Sequence, residues 1–270
     1  MEELKFTYHM RISYSQPASI CHFTIKCIPK ETARQTCLAC QIHMDPSAAY
    51  TYGEDAFHNQ KIIGAVREPH SHFLLDVEGS VRIRQILYEE AADPDQVAIY
   101  KYPTALTWPG AELQRVRSEL FENGILTEGL TDYDKALALM HWLYKEMQYV
   151  PGSTTYATTT EEAYSAKHGV CQDYAHVFVT LCRLMKIPAR YVTGMMLGEG
   201  ESHAWAEFLW RNAWIGLDPT NDLLIDENYI KLSDGRDAHD CQINLGIIRG
   251  GGTQSQEVAV TVVKMEKCRK

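Results

Sequence analysis

Between Gly169 and Pro188 the chain carries an apolar stripe of a kind that only a helix can present to one side. Positions 171, 174, 175, 178, 182 and 185 (Cys, Tyr, Ala, Phe, Cys, Met) recur at i+3/i+4 spacing, and Val177, Leu181 and Leu184 widen the stripe. A helix that is apolar over so much of its circumference must be covered by other elements. The spacing predicts a buried central helix from about Cys171 to Lys186, entered after Gly169 and stopped by Pro188. Strands expected at 190–196, 203–210 and 213–218, with an alternating tail at 257–263, supply the cover. An apolar helix carried on strands is an α+β arrangement.

Residues 1 to about 105 have a different texture, strand after strand with hardly a helical pattern. In Ile20–Cys27 the period-2 rule puts Cys21, Phe23, Ile25 and Cys27 on one face, and Pro29 ends the run. Residues 36–44 alternate likewise. Further strands are expected at 61–67, 71–77 and 80–85, the last two joined as a hairpin through Glu78–Gly79. Short strands at this spacing suggest a β-sandwich or small barrel. From Pro103 the pattern changes: Trp108–Pro109–Gly110 punctuates, and Leu113, Val116 and Leu120 recur at helical spacing. A stronger helix follows, capped by Thr131 or Asp132, with Ala136, Leu137, Met140, Leu143, Tyr144 and Met147 as its stripe. Residues 151–160, rich in Gly, Ser and Thr, read as a loop. The expected division is an N-terminal β-sandwich at 1–105, a helical connector at 106–130 and a second, catalytic domain at 131–270.

Size and charge exclude several classes. With 270 residues, 45% hydrophobic and 23% charged, the chain is globular and long enough for two domains. The 26 basic against 35 acidic residues leave a charge of −9, and no Lys/Arg-rich run offsets it, so no nucleic acid or anionic lipid partner is expected. No apolar run is long enough to span a bilayer, and Met1–Lys5 lacks the basic start of a secretory signal, so the expected compartment is the cytoplasm.

Cys171 is where chemistry is expected. It sits in the first turn of the central helix, where unpaired backbone N–H groups and the dipole favour a negative charge and hence a thiolate. Asp173, in the same turn, opposes this, so a base or imidazolium partner is required. The strands downstream offer one. If Arg211–Asn212 is a two-residue hairpin loop, Trp210 pairs with Ala213, Trp205 faces Asp218 and His203 faces Thr220. His203, Trp205 and Glu207 then share a face with Gly216 and Asp218. His203 and Asp218 become diagonal neighbours, within about 7 Å at Cβ, the relation of a base to its orienting carboxylate. A slip of one residue in one strand would separate them.

Four ordered blocks carry a resemblance: Gly169–Val–Cys171–Gln–Asp–Tyr–Ala–His176, Ile187–Pro–Ala–Arg–Tyr–Val–Thr–Gly194, His203–Ala–Trp–Ala–Glu207 and Trp214–Ile–Gly–Leu–Asp218–Pro–Thr–Asn221. They are similar to the core of the bacterial transglutaminase-like superfamily of candidate cysteine proteases. The strand-rich first hundred residues resemble that family's N-terminal β-sandwich, and Asp234–Asp237 with Arg249–Gly252 resemble its C-terminal segment. The resemblance implies a papain-like core with a central helix against an antiparallel sheet. It implies Cys171 as nucleophile, His203 as general base and later acid, and Asp218 as the orienting carboxylate. The implied reaction is acyl transfer from an amide or peptide bond of a protein or peptide substrate through a thioester. Hydrolysis is expected ahead of transamidation, the alternative. For the oxyanion the candidates are the backbone N–H of Cys171 and, upstream, Tyr149. No cofactor and no metal are expected.

Several features have plainer readings. Cys182 lies on nearly the same side of the helix as Cys171 and reads as packing. Cys37–Leu–Ala–Cys40 has CxxC spacing without a second pair, and on a regular strand its thiols face opposite sides. His70 and His72 share a strand face without a third ligand nearby. His168 and His176 flank Cys171 in sequence, but His176 lies about 140° around the helix from it. A binding or assembly module on the same fold, and metal-dependent hydrolysis through cysteines and histidines, are the competing classes.

Overall fold

The computed structural model describes residues 1–86, 88–91 and 97–265. The first element, β1 (Glu2–Ile25), is the spine of the N-terminal half. Even positions from Leu4 to Tyr14 are buried; beyond Pro17 the phase flips, and Cys21, Phe23 and Ile25 are buried instead. The flip coincides with register shifts around Ala18. One strand thereby serves two layers, each side facing the same core.

The partners of β1 are β2 (Gln35–Asp45), β3 (Ala49–Glu54), β4 (Gln60–Val66) and β5 (His70–Ile83), with β3 joined through β4 and β2 through β5. The first half of β1 hydrogen-bonds to β5 and the second half to β4, all antiparallel. Inward residues of both halves, with Phe73, Leu75, Val77 and Val81 of β5, form one cluster, and the Phe23 and Phe73 rings lie 5.3 Å apart. This is the expected β-sandwich.

Two local expectations are corrected. Glu78–Gly79 is no turn, because β5 runs unbroken through it. Gly79 is needed for close approach: a Cβ there would lie 2.2 Å from the Ala39 carbonyl and 2.8 Å from the Phe6 ring. Cys37 and Cys40 do not face opposite sides. Cys37 pairs with Val81 and Cys40 with Gly79, so Leu38–Ala39 contains a β-bulge that returns both thiols to one half-buried face. Cys268 lies outside the described residues.

After β6 (Tyr88–Ala91) and a short 3-10 turn at Ala98–Lys101 come the helices α1 (Ala111–Glu122) and α2 (Asp132–Glu146). Leu113, Val116 and Leu120 face inward on α1 as expected, and the amides of Gly110, Glu112 and Leu113 at its start are bound by the Glu161 carboxylate. Thr131 caps α2 by accepting the Asp134 N–H. On α2, Leu139 is buried, whereas Tyr144, expected in the stripe, is exposed.

The stretch read as a loop is followed by a helix with a capping box, α3 (Thr160–Ala166), in which Thr159 and Glu162 bond each other's backbone. It sits between β7 (Gln148–Tyr149) and β8 (His168–Gly169), a short parallel pair. The central helix is α4 (Cys171–Leu184), nearly all of it buried; Lys186, at φ 64°, turns the chain toward Pro188.

The strands that carry α4 are β9 (Ala189–Met196), β11 (His203–Trp210) and β12 (Ala213–Asp218), with the short β10 (Gly198–Gly200) intervening in sequence. With β13 (Leu223–Leu224), β14 (Tyr229–Gly235) and β6 they form an antiparallel sheet in the order β13-β12-β11-β9-β14, β6 lying along β12. Phe178, Leu181 and Cys182 of α4 pack against Ala206, Phe208 and Leu217 of this sheet. Cys182 is thus a packing residue. The papain-like core is as expected: a central helix against an antiparallel sheet.

Residues placed with the second domain return to the first sheet. β15 (Asn244–Gly250) pairs with the second half of β1, β16 (Gln254–Lys264) with its first half, and β10 extends the sheet beyond β16. Met195, Ile230 and Leu232 of the second sheet join the N-terminal core cluster. The two halves are therefore packed through shared apolar residues and shared chain.

Candidate active site

Cys171 opens α4 and is half-buried. The Asp173 side chain folds back over the helix start: its Oδ2 accepts the Val170 N–H at 2.7 Å and the Thr154 hydroxyl at 2.6 Å. Gly169 makes room for it, since a Cβ there would lie 2.6 Å from that carboxylate. Burial raises the Asp173 pKa against these hydrogen bonds. The carboxylate foreseen as an electrostatic opponent of the thiol is thus engaged in capping the helix.

The hairpin has the register expected from its loop. Arg211 and Asn212 both have positive φ, 47° and 65°, the two-residue turn whose twist suits a hairpin. Trp210 pairs with Ala213, Glu207 with Gly216 and Ala206 with Leu217, which sets Trp205 opposite Asp218. His203 begins β11 and pairs on its other side with Gly194. Gly194 admits no side chain: a Cβ would meet the Ile230 carbonyl at 2.1 Å and the Trp205 indole at 2.5 Å.

These constraints bring His203 Nε2 to 2.7 Å from Asp218 Oδ2. The same Oδ2 accepts from Asn221 Nδ2 at 2.7 Å and from the Tyr229 hydroxyl at 2.9 Å. Oδ1 accepts the backbone N–H groups of Thr220 and Asn221 at 3.0 and 3.3 Å. Burial disfavours the Asp218 charge, but these donors, His203 foremost, outweigh it and hold the pKa below the ordinary carboxylate value. Cys171 lies close enough to His203 to act on its imidazole. Burial works against the imidazolium, yet the hydrogen bonds and charges of Asp218 and Cys171 raise the His203 pKa from 6.5 to about 10. The structure thus gathers Cys171, His203 and Asp218 into one linked set, a geometry suited to thiol nucleophilic chemistry.

Tyr149 is 52% exposed and lies close enough to Cys171 for the thiol's charge to add to burial in raising its pKa. Trp205 stacks beside His203, ring centroids 6.4 Å apart, and meets Tyr229 edge-on. His176 is buried away from the set. Its Nε2 accepts the Ala238 N–H at 3.0 Å, and burial lowers its pKa to about 4, so it is neutral. His72 bonds Asp45 and His70 the Glu68 carbonyl. Among the described residues no three His, Cys, Asp or Glu side chains converge to hold a metal ion.

Sequence reasoning did not assign roles to Tyr229 and Asn221, although Asn221 stands in a quoted block. It also missed a buried ionic cluster. Glu207, foreseen on the His203 face, pairs with Arg190 at 2.6 Å and Lys231 at 2.9 Å. Asp234 pairs with Arg190, Lys231 and, from the N-terminal half, Lys30 at 2.7 Å. Asn59 adds hydrogen bonds to Lys30 and to the Asp234 backbone. The Arg190 guanidinium also lies over the Trp214 ring. Three cations and two carboxylates, all nearly excluded from solvent, thus tie the sandwich to the strands behind the site.

Comparison with known proteins adds the family. Residues 121–219 match the model of the transglutaminase-like superfamily core, and residues 4–82 match that of the bacterial transglutaminase-like N-terminal region. An uncharacterized protein of Mycobacterium leprae is 28% identical, the match covering 93% of this chain and 95% of that one. Uncharacterized proteins of Mycobacterium bovis and Mycobacterium tuberculosis are 29% identical, covering 88% of this chain and 85% of theirs. The crystal structure of a candidate cysteine protease from Cytophaga hutchinsonii superposes with a TM-score of 0.80 at 23% identity, over 100% of this chain and 93% of that one, and shows the fold to be the same. With a family core around the Cys171 helix and the family's N-terminal region in the sandwich, this chain belongs to the bacterial transglutaminase-like superfamily.

Proposed function

We propose that the protein is a thiol-dependent acyl-transfer enzyme acting on an amide or peptide bond, with water as the acceptor. The observation that carries the reading is His203 hydrogen-bonded to Asp218 with Cys171 close by, both raising its pKa to about 10. An imidazolium held at neutral pH beside a sulfur is the charge partner that a thiolate nucleophile requires.

The Cys171 sulfur attacks the amide carbonyl carbon, and the C=O electron pair moves onto oxygen. His203 gives its proton to the leaving nitrogen as the C–N bond breaks, leaving a thioester on Cys171. His203, now neutral, takes a proton from water as the water oxygen attacks the thioester carbon. The C–S bond breaks, the acid departs, and thiolate and imidazolium are restored. Asp218 keeps the ring oriented and stabilises its charge. The first-turn amide of Cys171 and the Tyr149 hydroxyl are the donors proposed for the oxyanion. Water is taken as the acceptor because it is always present at the site, where Tyr149 is 52% and Tyr156 71% exposed.

The test is a mass-spectrometric screen of peptide mixtures, with and without a primary amine, comparing wild type with Cys171→Ala. Cleavage products with added water, absent in the variant, are expected. Amine-linked products alone would replace hydrolysis by transamidation, and identical product spectra for the two proteins would remove the enzymatic reading.

A further inference from the structure

A cavity of about 540 Å³ lies between the two halves of the molecule, within the size range of about 300–1,000 Å³ usual for ligand pockets. One wall belongs to the N-terminal sandwich and includes Phe23 and Phe73; the other includes Gln172, Tyr191 and Ser202. Those last three bring the cavity beside the candidate active site, although Cys171, His203 and Asp218 are not themselves part of its lining. Gln172 follows Cys171, Ser202 precedes His203, and buried Tyr191 belongs to the apolar cluster against which Cys171 packs.

The lining has a consistent chemistry. No Asp, Glu, Lys, Arg or His side chain is part of it among the described residues. Its polar groups are hydroxyls and neutral amides, among them Gln242, Asn244 and Gln256. Burial also favours the neutral forms of two lining groups: the Cys21 thiol pKa is raised, and that of Tyr14 is raised to about 12. Side-chain amides offer both donors and acceptors, the complement of a peptide backbone, while the aromatic rings suit an apolar side chain. A charged group brought here would lose water and meet no counter-charge.

We infer that this cavity is the substrate pocket of the Cys171 site and takes an uncharged peptide-like segment bearing an aromatic or aliphatic side chain, with the N-terminal sandwich as its specificity-determining wall. The inference rests on the proposed thiol chemistry for its link to Cys171, and the experiment separates the two.

Second-order labelling of Cys171 is measured by peptide mapping with N-phenethyl, N-carboxyethyl and N-aminoethyl iodoacetamides, each divided by the rate of plain iodoacetamide on the same protein. In wild type the N-phenethyl ratio is expected to exceed both charged ratios by at least about tenfold, since desolvating an unpaired charge is costly. Val258→Trp, at a half-buried lining position, and Gln256→Trp, at an exposed one that tolerates bulk, are expected to abolish this preference. Equal ratios in wild type, or a preference surviving in the folded tryptophan variants, would overturn the inference. In a parallel arm, binding of unreactive N-phenethyl acetamide to the Cys171→Ala protein is followed by ligand-observed NMR, with and without Gln256→Trp. Saturable binding lost in the double variant is expected; no binding, or binding untouched by Gln256→Trp, refutes the pocket. If plain iodoacetamide shows no preference for Cys171, the nucleophile reading fails on its own, and the binding arm still decides the pocket.

Discussion

His203 Nε2 stands 2.7 Å from Asp218 Oδ2, and Asp218 is wholly buried. A charged carboxylate at zero exposure persists because every donor around it is aimed at it, and it returns the favour by holding the imidazole in its charged form. Asp218→Asn removes the charge while keeping the shape. The His203 pKa is then expected to fall, observable by NMR titration. Turnover of a substrate found in the peptide screen is expected to drop by at least about a hundredfold, the lower end of what a positioned acid–base group contributes.

The same pair makes stability depend on pH with a definite sign. The folded His203 pKa, about 10, lies above its ordinary 6.5, so folding favours the protonated ring. Its contribution is full below 6.5 and is lost as pH rises through about 10. Asp218 acts oppositely: its depressed pKa contributes above the ordinary carboxylate range and is lost in acid. Urea unfolding of wild type from neutral pH to pH ~10 is expected to show a fall that Asp218→Asn lacks.

Tyr229→Phe deletes the hydroxyl that donates to Asp218 at 2.9 Å. A hydrogen bond to a charged acceptor contributes about 1.5–3 kcal/mol, and that loss is expected in urea unfolding. With one donor fewer, Asp218 protonates more readily, so the acid limb of the activity profile is expected to move to higher pH.

Gly194→Ala forces a methyl group against the Ile230 carbonyl and the Trp205 indole. A destabilisation of about 1–3 kcal/mol is expected from overpacking. Because Gly194 is the cross-strand partner of His203, Cys171 labelling is expected to slow as well.

Asp234→Ala leaves Arg190, Lys231 and Lys30 facing a vacated carboxylate site. Stripping one member from a buried ion cluster costs about 3–5 kcal/mol, readable as a lowered denaturation midpoint.

The site was legible to the extent that local signals determine it. A two-residue loop at Arg211–Asn212 sets the strand parity, and parity alone places His203 and Asp218 on one face. Pro188 and the apolar stripe give the central helix. Signals that mislead are those with two meanings: Gly79 reads as a turn, yet serves close packing inside a strand. The bulge near Leu38 has no glycine or proline to announce it. The ionic cluster joins Lys30 to Asp234, and β16 joins the start of the chain to its end; such distant partners leave no local period to read. Asn221 and Tyr229 became visible only when the turn after β12 and the strand β14 met over the same carboxylate.

The proposed reaction requires Cys171 to be an activated thiol. Among the described residues Cys37, Cys40 and Cys171 are the half-buried cysteines, the rest being buried, so they provide an internal comparison. Native protein is treated with limiting iodoacetamide below neutral pH and the adducts are mapped. Cys171 is expected to be alkylated well ahead of Cys37 and Cys40, and His203→Ala is expected to remove the preference. Equal labelling of the three, or Cys37 and Cys40 reacting first, would contradict it.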